Sequence, residues 1–197
     1  MSPPGPRWAL RGRANFRSAE SPQVDPLRAL AEWITLADAI EARGGRVICL
    51  VPPDDTELTG LPYAAECGHV VAGPGAPRFL LPNMKAAHRQ GERALWLAAA
   101  TEMGLSPVAV HGTWEAQGDV AVFHETTLLF FGGRTTEDGA RDAAAQLEPS
   151  GVEALFIEIR EPAFHGNMAL LPLPAADRML VCPAVLAGDS LARLERA

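Results

Sequence analysis

The chain has 197 residues, 48% hydrophobic and 21% charged, which reads as one globular domain able to bury roughly 70% of its unfolded surface. A formal net charge of −7 argues against nucleic acid as a partner, because phosphate binding needs a basic face. No window approaches the ~20 apolar residues of a membrane span, and Met1–Leu10 has no apolar run of signal-peptide length. The three cysteines, Cys49, Cys67 and Cys182, are widely spaced and form neither a disulfide framework nor a metal clip. A cytoplasmic protein without a metal centre or membrane contact is the expectation.

Residues 1–24 carry Pro3, Pro4, Pro6 and Pro22 without periodicity and read as an extended or partly disordered lead-in to a domain over 25–197. Asp25-Pro26 then has the form of an N-cap followed by proline in the first helical turn. Leu27, Leu30, Ile34, Ala37 and Ile40 recur at helical spacing, and Gly44-Gly45 stops the helix. The apolar run Arg46–Val51 predicts a buried strand. A second helix is predicted around Arg89–Met103, leading into a strand at Ser106–Val110. A third is predicted around Thr136–Leu147 and passes through Pro149-Ser150-Gly151 into a strand over Val152–Ile157.

Strand pairs fall between these helices. His69–Ala72 pairs with Arg78–Leu81, Asp119–Phe123 with Thr127–Phe131, and Met168–Leu171 with Met179–Val181. The unit is helix, strand and hairpin, repeated about three times, which suggests a pseudo-symmetric α/β architecture. The extra hairpins speak against a doubly wound sheet. No GxGxxG or GxxxxGK[ST] sequence supplies a phosphate loop.

Three polar stretches sit where an apolar strand meets a turn: Trp114-Glu115-Ala116-Gln117-Gly118-Asp119, Gly133-Arg134-Thr135-Thr136 and Phe164-His165-Gly166-Asn167. A carboxylate at a strand entrance, Glu115 or Asp119, can accept paired N–H bonds from a planar cation. The same residues also suit an exposed loop acid and a turn cap. Trp114 either walls a pocket or belongs to the core. Arg134 stands just before a helix N-terminus capped by Thr136, a corner able to hold a carboxylate. Alternatively it makes a surface pair with Glu137 or Asp138, worth little. His165 fits a proton shuttle or a hydrogen-bonded structural residue. His69, His88, His111 and His124 have no patterned partners and read as structural or exposed. Cys49 and Cys182 lie in apolar runs and read as small buried hydrophobes. In an extended segment Glu66 and Cys67 face opposite sides.

Taken together, Trp-Glu-Ala-Gln-Gly-Asp-Val, Gly-Gly-Arg-Thr-Thr and Phe-His-Gly-Asn-Met-Ala-Leu-Leu-Pro-Leu resemble the pentein superfamily of guanidino-group-modifying enzymes. The likeness is nearest to its amidinotransferase and dimethylarginine dimethylaminohydrolase branch and runs from about Trp33 to Leu194. It implies an α/β propeller of pseudo-symmetric ββαβ modules, of which this chain holds about three to four of five. It also implies Glu115 as the acid that holds a guanidinium and His165 as general acid/base. Glu66, Asp119, Arg134 and Asn167 are implied as substrate-binding residues, Arg134 through an α-carboxylate. Asn167 stands where deiminases and amidinotransferases carry Asp.

The resemblance further implies arginine or a substituted arginine as substrate, and no metal or organic cofactor. The reaction is hydrolysis or amidino transfer through a cysteine thiouronium. Family members keep the nucleophilic cysteine in a later module. None follows here before Ala197, so the expectation is a domain that binds but turns over poorly. An oligomer or a partner chain is expected to complete the propeller. The alternative is a non-catalytic pentein-fold binding or scaffold protein.

Overall fold

The computed structural model of the chain describes residues 1–9, 20, 23–53, 57–73, 75–147, 151 and 153–196. Half of the lead-in read over 1–24 (residues 10–19, 21 and 22) lies outside the described residues, as do Pro149, Ser150, Val152 and Ala197. The chain falls into two units, Met1–Ala64 with Ala86–Ala94, and Ala65–Lys85 with Leu95–Ala197.

The first unit contains helix α1, Pro26–Glu41. Its start follows the expectation: Asp25 Oδ1 accepts from the N–H groups of Leu27 and Arg28 at 3.0 and 3.2 Å, satisfying two of the orphan donors of a helix start. At its end Gly44 takes φ +81° and the Gly45 N–H returns to Ile40 O at 3.0 Å. No residue of α1 is buried, and Leu27 stays 74% exposed. The strand expected over Arg46–Val51 does not form. That segment exchanges single bonds with Met1, through Ile48 O and the Leu50 N–H, while Ile48 and Val51 remain exposed. An apolar run becomes a strand only where a neighbour offers a ladder. Cys49, expected to pack inside it, is exposed as a consequence. Also in this unit, Arg89 and Glu92 make a buried bidentate pair at 2.9 and 2.8 Å.

The second unit is built from hairpins. Strands β1 (His69–Val71) and β2 (Arg78–Leu81) pair antiparallel, and β3 (Ser106–Ala109) joins β2 in parallel after helix α2 (Glu92–Glu102). The pattern repeats with β4 (Val120–Phe123) antiparallel to β5 (Thr126–Phe131), helix α3 (Glu137–Leu147), and β6 (Glu153–Glu158) parallel to β5. A third hairpin, β7 (Leu170–Leu173) with β8 (Arg178–Val181), is followed by the short helix α4 (Ser190–Leu194). The three expected hairpins are therefore present, and the repeating order is hairpin, helix, parallel strand. No closed barrel is seen among the described residues; the sheets have three, three and two strands.

Strand β5 is central to its sheet, and four consecutive residues, Thr127 to Phe130, are buried, as a strand covered on both faces requires. Helix α3 turns Gly139, Ala140, Ala143, Ala144 and Leu147 inward, the spacing of one helical face. This face packs into a core with Trp114, Leu129, Leu80 and Val110. A second core gathers Leu128, Phe130, Ile157, Ile159 and Leu170. Cys182 follows β8 directly and is exposed, contrary to the buried reading. Alternation along β8 turns only every second residue inward.

Candidate functional site

Three short 3-10 turns carry the polar residues, each placed just ahead of the first strand of a hairpin. Ala64–Glu66 precedes β1, Ala116–Asp119 precedes β4, and Gly166–Met168 precedes β7. Glu115 and His165 are the residues that open the second and third of these turns. Because Ala64–Glu66 is a turn, the extended geometry that would set Glu66 and Cys67 on opposite faces does not apply.

The segment holding Glu115 is pinned on both sides. Trp114 exchanges both backbone bonds with Asn83 at 3.0 Å. On the other side the Thr136 N–H donates to Thr113 O at 3.0 Å, and the Thr136 hydroxyl accepts from Gly139 N–H at 3.2 Å, capping α3 as expected. Gly139 lies so close that a Cβ there would stand 1.9 Å from Thr113 O, so only glycine permits this contact. Trp114 itself is fully buried in the core. Ala116 takes φ +51° with its side chain buried, a left-handed conformation costing roughly 1–2 kcal/mol. That cost sits beside Glu115, and the surrounding packing sustains it.

These supports bring Glu66, Glu115, Asp119, Arg134 and His165 together. Glu115, Asp119 and His165 are almost fully buried, against the exposed-acid alternative. His165 Nδ1 lies 3.1 Å from Asp119 Oδ2. Asp119 also accepts from the Thr135 hydroxyl at 2.6 Å and the Gly166 N–H at 2.8 Å. A carboxylate oxygen that accepts here needs Nδ1 as its donor, so the ring's tautomer decides this bond. Asp119 thus spends its oxygens on holding the histidine and its turn, leaving Glu115 and Glu66 as the acids facing the other ring nitrogen. Glu115 Oε2 stands 3.3 Å and Glu66 Oε1 3.4 Å from His165 Nε2. Nε2 is nevertheless buried without a hydrogen bond. Both acids stand at ion-pair distance from a ring nitrogen that makes no hydrogen bond to either.

Glu115 is held through Oε1 by the Lys85 N–H at 3.0 Å and approached at Oε2 by Arg134 at 3.4 Å. Arg134 stacks over Phe164, 4.6 Å from its ring centre. It pairs with Glu115 and not with Glu137 or Asp138, of which Glu137 instead binds Arg141. Lys85 Nζ lies near Gly133 O at 3.4 Å, adding a second cation beside Arg134. Asn167 is exposed and makes no hydrogen bond among the described residues. Its turn directs His165 inward and the residue two positions on outward.

Motif reading missed Thr135, although Gly-Gly-Arg-Thr-Thr contained it. It also missed Gly118, where a Cβ would stand 2.8 Å from His165 Nδ1. Its only signal was the Gly that precedes Asp119. Away from this cluster, His69 is buried and its pKa is lowered by desolvation, and exposed His124 pairs with Asp177 at 2.8 Å. No group of three potential metal ligands occurs among the described residues.

No family model and no curated protein matches the chain. Solved structures do. The N-terminal domain of ArgZ bound to product, an arginine dihydrolase from the ornithine–ammonia cycle in cyanobacteria, aligns with a TM-score of 0.85 at 20% identity, covering 100% of this chain and 70% of that one. AgrE, in its binary complex with L-arginine, aligns at 0.83 and 20% identity, covering 100% of this chain and 28% of that one. A dimethylarginine dimethylaminohydrolase in an adduct with 4-chloro-2-hydroxymethylpyridine aligns at 0.65 and 17% identity, over 81% of this chain and 62% of that one. At these identities the likeness is one of fold: a mixed α/β chain of small sheets, consistent with the implied class and silent on the number of propeller modules.

Proposed function

We propose, on the premise of a fold shared with the guanidino-modifying enzymes of the pentein superfamily, that the cluster binds the guanidinium of arginine or a substituted arginine. The observation that carries this reading is the convergence of Glu66 Oε1 and Glu115 Oε2 on His165 Nε2, at 3.4 and 3.3 Å, where no hydrogen bond is made. Two carboxylates, Glu66 and Glu115, face one ring nitrogen of His165, and acid oxygens set side by side in this way suit a ligand that brings N–H donors to both. A flat cation with several N–H donors fits two acid oxygens better than a compact ammonium does.

In this reading Glu115 and Glu66 orient the guanidinium and His165 moves the proton. Arg134, with Lys85 as a second cation, is proposed to meet the substrate carboxylate. Asp119 positions the histidine. Asn167, exposed beside the buried His165, is proposed to meet substrate at the outer edge of the cluster. The chemistry of the class needs a thiolate, which in the family comes from a later module than those building this cluster. Its sulfur bonds to the guanidino carbon, the carbon–nitrogen bond to the departing amine breaks, and that amine takes a proton from His165. Water or an acceptor amine then displaces the sulfur, giving hydrolysis or amidino transfer. The sheets correspondingly read as blades of a larger α/β propeller, completed by further strands.

Calorimetric titration with L-arginine tests the binding step apart from turnover. Glu115→Gln keeps shape and removes the charge. A hydrogen bond to a charged group contributes about 1.5–3 kcal/mol, so affinity is expected to fall roughly 10- to 100-fold. Absence of binding to the unaltered protein, or equal binding by Glu115→Gln, sinks the reading.

A further inference from the structure

One hydroxyl joins the two halves of the cluster. Thr135 is 1% exposed, and its Oγ1 accepts the Glu115 N–H at 3.0 Å while lying 2.6 Å from Asp119 Oδ2. A threonine hydroxyl has a single proton. With one lone pair taken by the Glu115 amide, that proton is directed at Asp119. The carboxylate is then held at both ends, by Thr135 on Oδ2 and by the Gly166 N–H on Oδ1 at 2.8 Å. Held this way, Oδ2 faces His165 Nδ1 at 3.1 Å as an acceptor.

We propose that Thr135 is a positioning residue that sets the tautomer of His165: it locks Asp119 so that Nδ1 carries the ring proton and Nε2 faces Glu66 and Glu115. The consequence for the guanidine reading, on which the meaning of Nε2 rests, is that the nitrogen turned toward the acids is the one free to exchange a proton. Without the hydroxyl, Asp119 Oδ2 loses its shortest bond and the Glu115 amide is orphaned in the interior. The carboxylate can then rotate, and the ring can carry its proton on Nε2 instead. The same hydroxyl links the backbone of Glu115 to the side chain that holds His165, so both functional groups are set from one point.

The test uses the 15N-labelled full chain, with the His165 ring signals assigned by their loss in His165→Gln. In the neutral ring of the unaltered protein, Nδ1 is expected to be the protonated nitrogen. Thr135→Val, nearly the same shape without the hydroxyl, should move the Nδ1 signal toward that of an unprotonated nitrogen, and Thr135→Ser should restore it. Ring signals unchanged in a folded Thr135→Val protein overturn the proposal, as does an Nε2-protonated ring in the unaltered protein. Should Thr135→Val not fold, the Thr135 hydroxyl proton is observed directly in the unaltered protein. A slowly exchanging resonance upholds the lock, and exchange too fast to detect overturns it. Arginine binding is measured alongside. Its absence removes the guanidine reading while the tautomer result stands, so the two fail separately.

Discussion

Replacing Gly118 with alanine should disturb His165 first, since the three atoms nearest an added Cβ all belong to its ring. An ideal Cβ at Gly118 stands 2.8 Å from His165 Nδ1, 3.1 Å from Cε1 and 3.2 Å from Cγ, against 3.4 Å for an ordinary contact. The ring must therefore retreat by about 0.6 Å, and the neighbour at stake is the atom bonded to Asp119 at 3.1 Å. Such a retreat, taken along the bond, exceeds its useful length. A long exposed side chain could swing away at little cost, but His165 is buried and held. Overpacking of this kind costs about 1–3 kcal/mol, which corresponds to a fall in Tm of roughly 2–12 °C for a chain of this size. Differential scanning calorimetry gives the stability, and an arginine titration gives the site. We expect both to decline, with binding lost disproportionately because ring orientation is the property disturbed. A Tm within about 1 °C of the parent and unchanged binding would show that the ring has room, refuting the account of why glycine stands there.

Two further outcomes follow from the packing. Phe130 is 1% exposed and lies against Gly166, the residue after His165. Phe130→Ala is expected to cost about 3–5 kcal/mol, read as a steep fall in the urea midpoint, with weaker binding in whatever remains folded. His69 is buried, with Nδ1 lacking a hydrogen bond, and desolvation lowers its pKa below the ordinary value of 6.5. Above that value both folded and unfolded chains hold it neutral. Below it the unfolded chain takes a proton that the folded chain resists, so stability declines as pH falls from about 6.5 toward the depressed folded value, then levels. Urea unfolding at successive pH values should show this slope in the parent and a flatter one in His69→Gln, and equal slopes count against it.

Local chemistry was legible wherever a residue's role is decided by its immediate neighbours. Asp25 before Pro26 is such a case, as are the glycines after α1 and Thr136 ahead of α3. Hairpins were legible for the same reason, since alternation and turn residues are short-range signals. Arg46–Val51 was misread because its apolar run resembles a buried strand, while the partner that would make it one lies outside its own sequence. Cys49 went wrong with the strand assumed to bury it, and Cys182 because it stands just past the strand that did form. Within the cluster, Glu115 and His165 stood out by type and by motif. The task of Asp119 could not, because one of its donors is the Gly166 amide, 47 residues away. Which of several acids meets a ligand and which orients a neighbour depends on donors delivered by the fold. Thr135 was hidden for the same reason, its two partners being 20 and 16 residues distant.

The repeated arrangement of a 3-10 turn ahead of each hairpin has a consequence for how such a protein can change. The cluster's side chains and the sheet registers occupy different stretches of chain, so an exchange at Glu66, Glu115 or His165 alters one corner of the cluster without removing a ladder bond. If the guanidine reading holds, ligand preference can then drift turn by turn, acid to amide or imidazole to acid, with the hairpin ladders kept.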